Sequence, residues 1–302
     1  MHNFSYLDTV GEVKVKQLPT IDELPDKFVT LPDGIRVRYL EYGPADGFPL
    51  LLTHGFLGSV RDWRYNIVAL AGDKRRVIAL DWVGFGHSDK PALKYSLFYF
   101  ADFLHDFAQA LHLQRFDLAG HSMGGKHNLA FAILYPDYVN KLALIDTDGF
   151  IIDPLWTKYT TTFFRPMSVL LTEFLGNPKV LKSSLKNVFY DRSFYPADSE
   201  IEANAIELRD PVFKKSLLSL NANYPQLSMR LTKLYERVGE IKVPIQLFWG
   251  WQDKIIPVAN AHLAHSLLPT SDLYIFDRCG HLPQAEHAAV FNRLLTEFLE
   301  AS

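Results

Sequence analysis

The chain has 302 residues, 48% of them hydrophobic and 22% charged, with a formal net charge of −3 and one cysteine, Cys279. That is globular composition with enough apolar content for a large core, as one domain or a domain with an insertion. It excludes a basic nucleic-acid surface, a charged tail and an intrachain disulfide. The start, "MHNFSYLDTVGEVKVKQLPTIDELP", has no basic stretch followed by an apolar run, and no segment approaches the length of a membrane span. The expectation is a cytoplasmic protein with no nucleic-acid partner and no membrane span, monomeric or homodimeric.

Residues 1–27 read as an extended arm broken by Pro19 and Pro25. "KFVTLPDGIRVRYLEYG" predicts a hairpin turning at Pro32-Asp33-Gly34. "FPLLLTHGF" and "RRVIALDWVGFGHSD" read as buried strands, with a helix over "DWRYNIVALAG" between them. In "YFADFLHDFAQALHL", Phe100, Phe103, Leu104, Phe107 and Leu111 fall on one helical face. A strand at 116–119, a helix at 123–135 and the strand "KLALID" follow. After an interruption the alternation resumes: strand "VPIQLFWG", helix "VANAHLAHSLL", strand "SDLYIFD", helix "AAVFNRLLTEFLEA". Such alternation predicts an α/β fold, a mostly parallel central sheet with helices on both faces. Ligands gather at the carboxyl ends of such strands. Residues 149–240 break the pattern with helical, aromatic-rich runs, too long for one crossover. They predict a helical cap inserted into a core made of 28–148 and 241–302.

Within "FDLAGHSMGGKHNLAFAILYP", Gly120-x-Ser122-x-Gly124 sits between a strand and a helix. A turn this tight lifts the serine hydroxyl out of the sheet, and side chains two residues before and after would collide. The free N–H groups of the following helix favour negative charge there. Ser122 is therefore the candidate nucleophile. It needs a base within hydrogen-bond reach. Of eleven histidines, His281 lies just after the last strand, beside Gly280. His262, His265 and His287 suit surface positions, and His121 suits packing at the turn. Asp253, after the penultimate strand, is the candidate for holding the base. It gives the chain order serine, aspartate, histidine. Asp146 and Asp148 are the competing carboxylates. The oxyanion donors are the backbone N–H groups of Met123 and Phe56, with Gly55 letting the loop swing in.

Taken in order, "HGFLGSVRDW", "LDWVGFGHSDKP", "GHSMGGK", "WGWQDKIIP" and "CGHLPQAEH" resemble the capped serine hydrolases of the α/β-hydrolase fold family. The resemblance covers roughly 28–148 and 240–302; the cap matches only in its placement. It implies a carboxylesterase-like hydrolase of a small-molecule ester, working without metal or cofactor. Asp81 and Ser88 would be structural, and Ser122 sets the chain apart from relatives with an aspartate nucleophile. The tail is also similar to C–C bond hydrolases of aromatic ring-cleavage products. Those usually carry a glycine-rich loop in place of "HGFLGS" and a tryptophan in place of Leu282. Lys126 departs from the small or apolar residue common at its position. A third reading is a ligand receptor that keeps the triad. Phe56, Trp156, Phe163, Phe164 and Leu282 are the candidate substrate contacts.

Overall fold

Strand residues whose neighbours on both faces are apolar belong inside a layered sheet. In the computed structural model, which describes residues 4–7, 19–150 and 174–301, Leu50, Leu51, Leu52, Val77, Ile78, Ala79 and Leu80 have no exposed surface. Successive side chains point to opposite faces, so helices must cover both. The strands are β1 (Phe4–Leu7), β2 (Lys27–Thr30), β3 (Arg36–Tyr42), β4 (Phe48–Thr53), β5 (Arg75–Leu80), β6 (Phe116–His121), β7 (Val139–Ile145), β8 (Ile245–Gly250) and β9 (Ser271–Phe276). They form one nine-stranded sheet in the order β1-β9-β8-β7-β6-β4-β5-β3-β2. Only β3 runs against the rest, being antiparallel to both β5 and β2. The segment expected as an extended arm thus contributes a strand, Phe4–Leu7, paired in parallel with Leu273–Phe276.

Helices α1 (Ile67–Ala71), α2 (Leu97–Ala110) and α3 (Met123–Leu134) belong to the first half of the sheet. Between β7 and β8 come α4 (Pro178–Ser184), α5 (Asp198–Arg209) and α6 (Pro211–Ala222). Then follow α7 (Ala259–Leu267), α8 (Pro283–Glu286) and α9 (Ala288–Glu300). One core layer joins the sheet to α2, α3 and α7; Phe100, Phe103, Leu104 and Phe107 are its buried α2 stripe. The other joins it to α1 and α9 through Trp63, Ile67, Leu70, Phe291 and Leu295. Each fully buried side chain of this size is worth about 1.5–3 kcal/mol relative to exposure.

The helix expected over "DWRYNIVALAG" is split. Val60–Trp63 is a 3₁₀ turn and α1 begins only at Ile67. Asn66, fully buried, donates its side-chain amide to Gln284 O at 2.9 Å and to Asn292 Oδ1 at 2.7 Å. That tie to α8 and α9 fixes the break where periodicity alone runs on. The segment between β7 and β8 meets the core at several places. Phe213, Leu217 and Leu220 of α6 join the α2-side layer. Glu200 of α5 takes a two-pronged ion pair from Arg64, at 3.0 and 2.9 Å.

The strand order reverses at β4, which has β5 on one side and β6 on the other. In a parallel sheet that reversal opens a crevice at the carboxyl ends. The loops leaving β4 and β6 carry Phe56 and Ser122.

Candidate active site

Ser122 leaves β6 with φ +53° and ψ −119°, a conformation that a side chain other than glycine adopts only under strain. Its N–H donates to Ile145 O at 2.9 Å, which pins the turn to β7. The flanking glycines have distinct reasons. A methyl on Gly120 would lie 2.3 Å from Asn128 Nδ2 and 2.8 Å from Gly125 N, inside α3. One on Gly124 would lie 2.5 Å from His54 O at the end of β4. Gly125 is equally constrained, with Thr147 Oγ1 at 2.2 Å from such a methyl.

Met123 is the first residue of α3, where N–H groups have no partner within the helix. The β4 loop approaches it closely: a methyl on Gly55 would meet Ser122 Cβ at 3.1 Å and His121 Nδ1 at 2.9 Å. Phe56 therefore follows directly beside the serine, and Leu57 takes φ +57° to turn the loop. His54 holds this loop as expected: its Nδ1 lies 2.7 Å from Gly55 O, and its Nε2 accepts from Trp82 N at 3.0 Å. Burial lowers its pKa, with Asp81 and the Gly55 contact opposing. Asp81 and Ser88 are structural supports. Asp81 accepts from Val60 N and His87 N, both at 2.8 Å, and Ser88 Oγ donates to Asp81 O at 2.8 Å.

His281 lies in the loop after β9, with Nδ1 2.7 Å from Asp253 Oδ2. The other oxygen of Asp253 accepts from Ile255 N at 2.7 Å and Ile256 N at 3.0 Å, which fixes the carboxylate plane. Both residues are buried. Ser122 and His281 line one cavity of about 1790 Å³, together with Phe56, Leu57, Leu282 and Phe213. Phe56 is half-exposed and edge-on to Phe85, which in turn meets Phe213 of α6. Leu282 is buried against the cavity. Trp156, Phe163 and Phe164 lie outside the described residues.

Neither competing carboxylate holds the histidine. Asp146 is fully buried at φ +41°, with Oδ1 accepting from Gly250 N at 2.9 Å. Burial first, then the Asp253 charge, drive its pKa well above the ordinary range. Asp148 takes the ammonium of Lys126, which accounts for that unexpected lysine. His121 packs at the turn as expected, with Nε2 2.7 Å from His281 O. Burial, then the neighbouring His281, hold its pKa well below the usual value. Two histidines are less exposed than expected. His265 Nδ1 lies 2.9 Å from Ser271 Oγ, and His287 stacks on Phe276 at 5.5 Å.

His121, Asp146 and His281 each present one potential ligand atom, all within 4.8 Å of one another. Burial disfavours the charged Asp146 carboxylate that a cation would need, and His281 Nδ1 is taken by Asp253. Sequence reasoning missed Asp62, under the β4 loop, and Glu286, behind His281. Glu286 had a signal in "CGHLPQAEH", an acid five residues beyond the candidate base. Among the described residues no helix is long and apolar enough to cross a membrane.

Residues 49–288 match the family described as the alpha/beta hydrolase fold. Over 282 residues the chain is 32% identical to 2-hydroxy-6-oxononadienedioate/2-hydroxy-6-oxononatrienedioate hydrolase of Burkholderia vietnamiensis, covering 88% of this chain and 91% of that one. It is 30% identical to 2-hydroxymuconate semialdehyde hydrolase of a Pseudomonas species, with the same coverage. Among solved structures, a meta-cleavage product hydrolase of Pseudomonas fluorescens superposes with TM-score 0.76 at 25% identity, covering 92% of this chain and 98% of that one. A membrane phospholipase A superposes with TM-score 0.75 at 27% identity, covering 92% and 86%. Fold, strand order and these matches agree: the chain belongs to the alpha/beta hydrolase fold family.

Proposed function

We propose that the protein is a serine hydrolase of carboxylic esters of small to medium apolar substrates. The observation that carries the reading is the His281–Asp253 contact at 2.7 Å, with the histidine opening on the same cavity as the strained Ser122. A histidine held this way at Nδ1 keeps Nε2 free to take a proton. Ser122 Oγ attacks the ester carbonyl while His281 Nε2 takes the hydroxyl proton. The carbonyl oxygen becomes an oxyanion, held by the N–H groups of Met123 and Phe56. Collapse expels the alkoxide, which receives the proton from His281. Water then gives its proton to His281, attacks the acyl-enzyme and releases the acid, regenerating Ser122.

The lining favours a neutral substrate. Of the five lysines and arginines around the cavity, Arg38, Arg61, Arg64 and Lys90 are each paired with a carboxylate, and the fifth, Arg209, is exposed at the end of α5. A substrate with two carboxylates would compete with those pairs. Phe56, Leu57, Leu282 and Phe213 instead offer apolar contact.

A second reading, C–C bond hydrolysis of ring-cleavage products, draws support from the relatives at 30% and 32% identity. The discriminating experiment compares p-nitrophenyl acetate, butyrate and octanoate with a 2-hydroxy-6-oxo-dienoate. Wild type and Ser122→Ala are assayed side by side. Fast, Ser122-dependent ester release with little dienoate turnover supports the esterase. The reverse pattern sinks it in favour of C–C cleavage. Failure of both, with tight binding of a small ligand, points to a receptor.

A further inference from the structure

Glu286 closes α8 and is buried, yet it does not line the cavity. Its two oxygens reach in different directions. Oε1 accepts from Gly280 N at 2.7 Å, next to the candidate base. Oε2 accepts from Tyr190 N and Asp191 N, both at 2.8 Å, in the segment inserted between β7 and β8. One carboxylate therefore bridges the histidine loop and the inserted segment. A second link runs beside it, since His281 N donates to Val188 O at 2.6 Å. The fit leaves no slack: a methyl on Gly280 would meet Val188 O at 2.4 Å and Tyr190 N at 2.8 Å.

The backbone N–H groups of Gly280 and His281 are thus both held from the side of the inserted segment, one directly and one through Glu286. On the core side the loop is held through the imidazole, whose Nδ1 lies 2.7 Å from Asp253 Oδ2, and through its flanking groups, with Gln252 N donating to Cys279 O at 2.9 Å. His121 Nε2 lies 2.7 Å from His281 O, and Gln252 Oε1 accepts from Cys279 N at 2.9 Å. Rotation of the 280–281 peptide would swing the imidazole across the cavity. Burial raises the Glu286 pKa, and the N–H groups of Asp191, Gly280 and Tyr190 oppose it. A buried carboxyl with three backbone donors on it has a positional task.

We propose that Glu286 is a positioning residue that makes the placement of His281 depend on the inserted segment, so that docking of residues 188–191 sets the reactivity of Ser122. This rests on Ser122 and His281 being nucleophile and base. Glutamine at 286 keeps the volume but offers one acceptor oxygen, so it can serve one side of the bridge and leaves an amide against the other. Asp191→Pro deletes one backbone donor to Glu286 at an exposed position that does not itself line the cavity, removes the Asp191 side-chain acceptor of Ser193 N as well, and leaves Glu286 intact.

The test uses a fluorophosphonate that labels activated serines, whatever the natural substrate. The second-order labelling rate is measured for wild type, Ser122→Ala, Glu286→Gln and Asp191→Pro, alongside thermal melts and kcat and KM on the best ester. The expected result is labelling slowed about 10–100-fold in Glu286→Gln and about 3–10-fold in Asp191→Pro. In both, kcat falls while KM stays near wild type. Wild-type labelling rates in folded Glu286→Gln overturn the proposal, as do wild-type rates in Asp191→Pro should the glutamine variant fail to fold. If wild type labels no faster than Ser122→Ala, the nucleophile reading has failed and the positioning role falls with it.

Discussion

The ammonium of Lys126, one turn into the helix behind Ser122, is ion-paired with the carboxylate of Asp148, just past the end of β7. The backbone N–H groups of both residues also donate to the carbonyl of Ser122, each at 3.2 Å. Burial works to raise the Asp148 pKa. The Lys126 charge and hydrogen bond, with the Gly149 N–H, outweigh it and hold the carboxyl below its ordinary range. The pair braces the strained turn from behind. Lys126→Met leaves a carboxylate facing apolar surroundings and should cost about 1–3 kcal/mol in urea unfolding. Adding Asp148→Asn should return at least half. A double variant no more stable than Lys126→Met alone would remove the pair from this account.

The two aspartates near His281 should answer differently to the same change. Burial and the Asp253 charge both push the Asp146 pKa up, and its Oδ1 accepts from Gly250 N, a bond that asparagine can also accept. Asp146→Asn should keep kcat within about threefold of wild type. Asp253→Asn presents an amide to His281 Nδ1 and should lose about 10⁴-fold, the scale set by the wrong tautomer in serine proteases. Equal losses from both changes would show that Asp146 acts as a charge.

A buried acid sits under the loop that follows β4. The Asp62 carboxyl is pushed up to about 7 by burial, with Arg64 and the N–H groups of Ser59 and Gly55 pulling down and Asp81 pushing up. In the unfolded chain the same group titrates near 3.8. The folded state thus binds more protons between these values. Stability from Asp62 is complete below about pH 4 and is lost as pH rises towards 7. Asp62→Asn stays neutral throughout. Its Tm relative to wild type should climb between pH 5 and pH 8, by about 2–4 °C for each kcal/mol relieved. A pH-independent difference would contradict the assignment.

Arg64 and Glu200 tether α5 to the core through two hydrogen bonds. Arg64→Ala should loosen the wall of the cavity that α5 provides. KM for the longest ester should rise about 3–10-fold with kcat nearly unchanged. A fall in kcat with constant KM would place the tether's effect on the chemistry instead.

Much of this was legible in the chain because the signals were local. Alternation of apolar strands with helices gave the parallel sheet, and Gly120-x-Ser122-x-Gly124 between strand and helix gave the elbow. The pairing of Asp253 with His281 followed from their places after successive strands. What escaped reading depends on contacts distant in sequence. Strand β1 is four residues long and exists only because β9 offers an edge. Helix α5 buries just Ile201, Ala205 and Leu208, so its apolar stripe is thin. The raised pKa of Asp146 comes from burial and a second carboxylate, neither visible at Asp146 itself. Glu286 looked like one more acid in a tail, because its partners Tyr190 and Asp191 lie nearly a hundred residues upstream.

The pairing of β1 with β9 also orders events during synthesis. Phe4–Leu7 is made about 270 residues before its partner Leu273–Phe276. Until then the first strand has no template, and closing so long a loop is slow. The nascent protein must therefore carry an unpaired strand while the intervening residues are made. Completing that edge is among the last steps of folding, and it seals the backbone groups of β9 that would otherwise recruit a second chain.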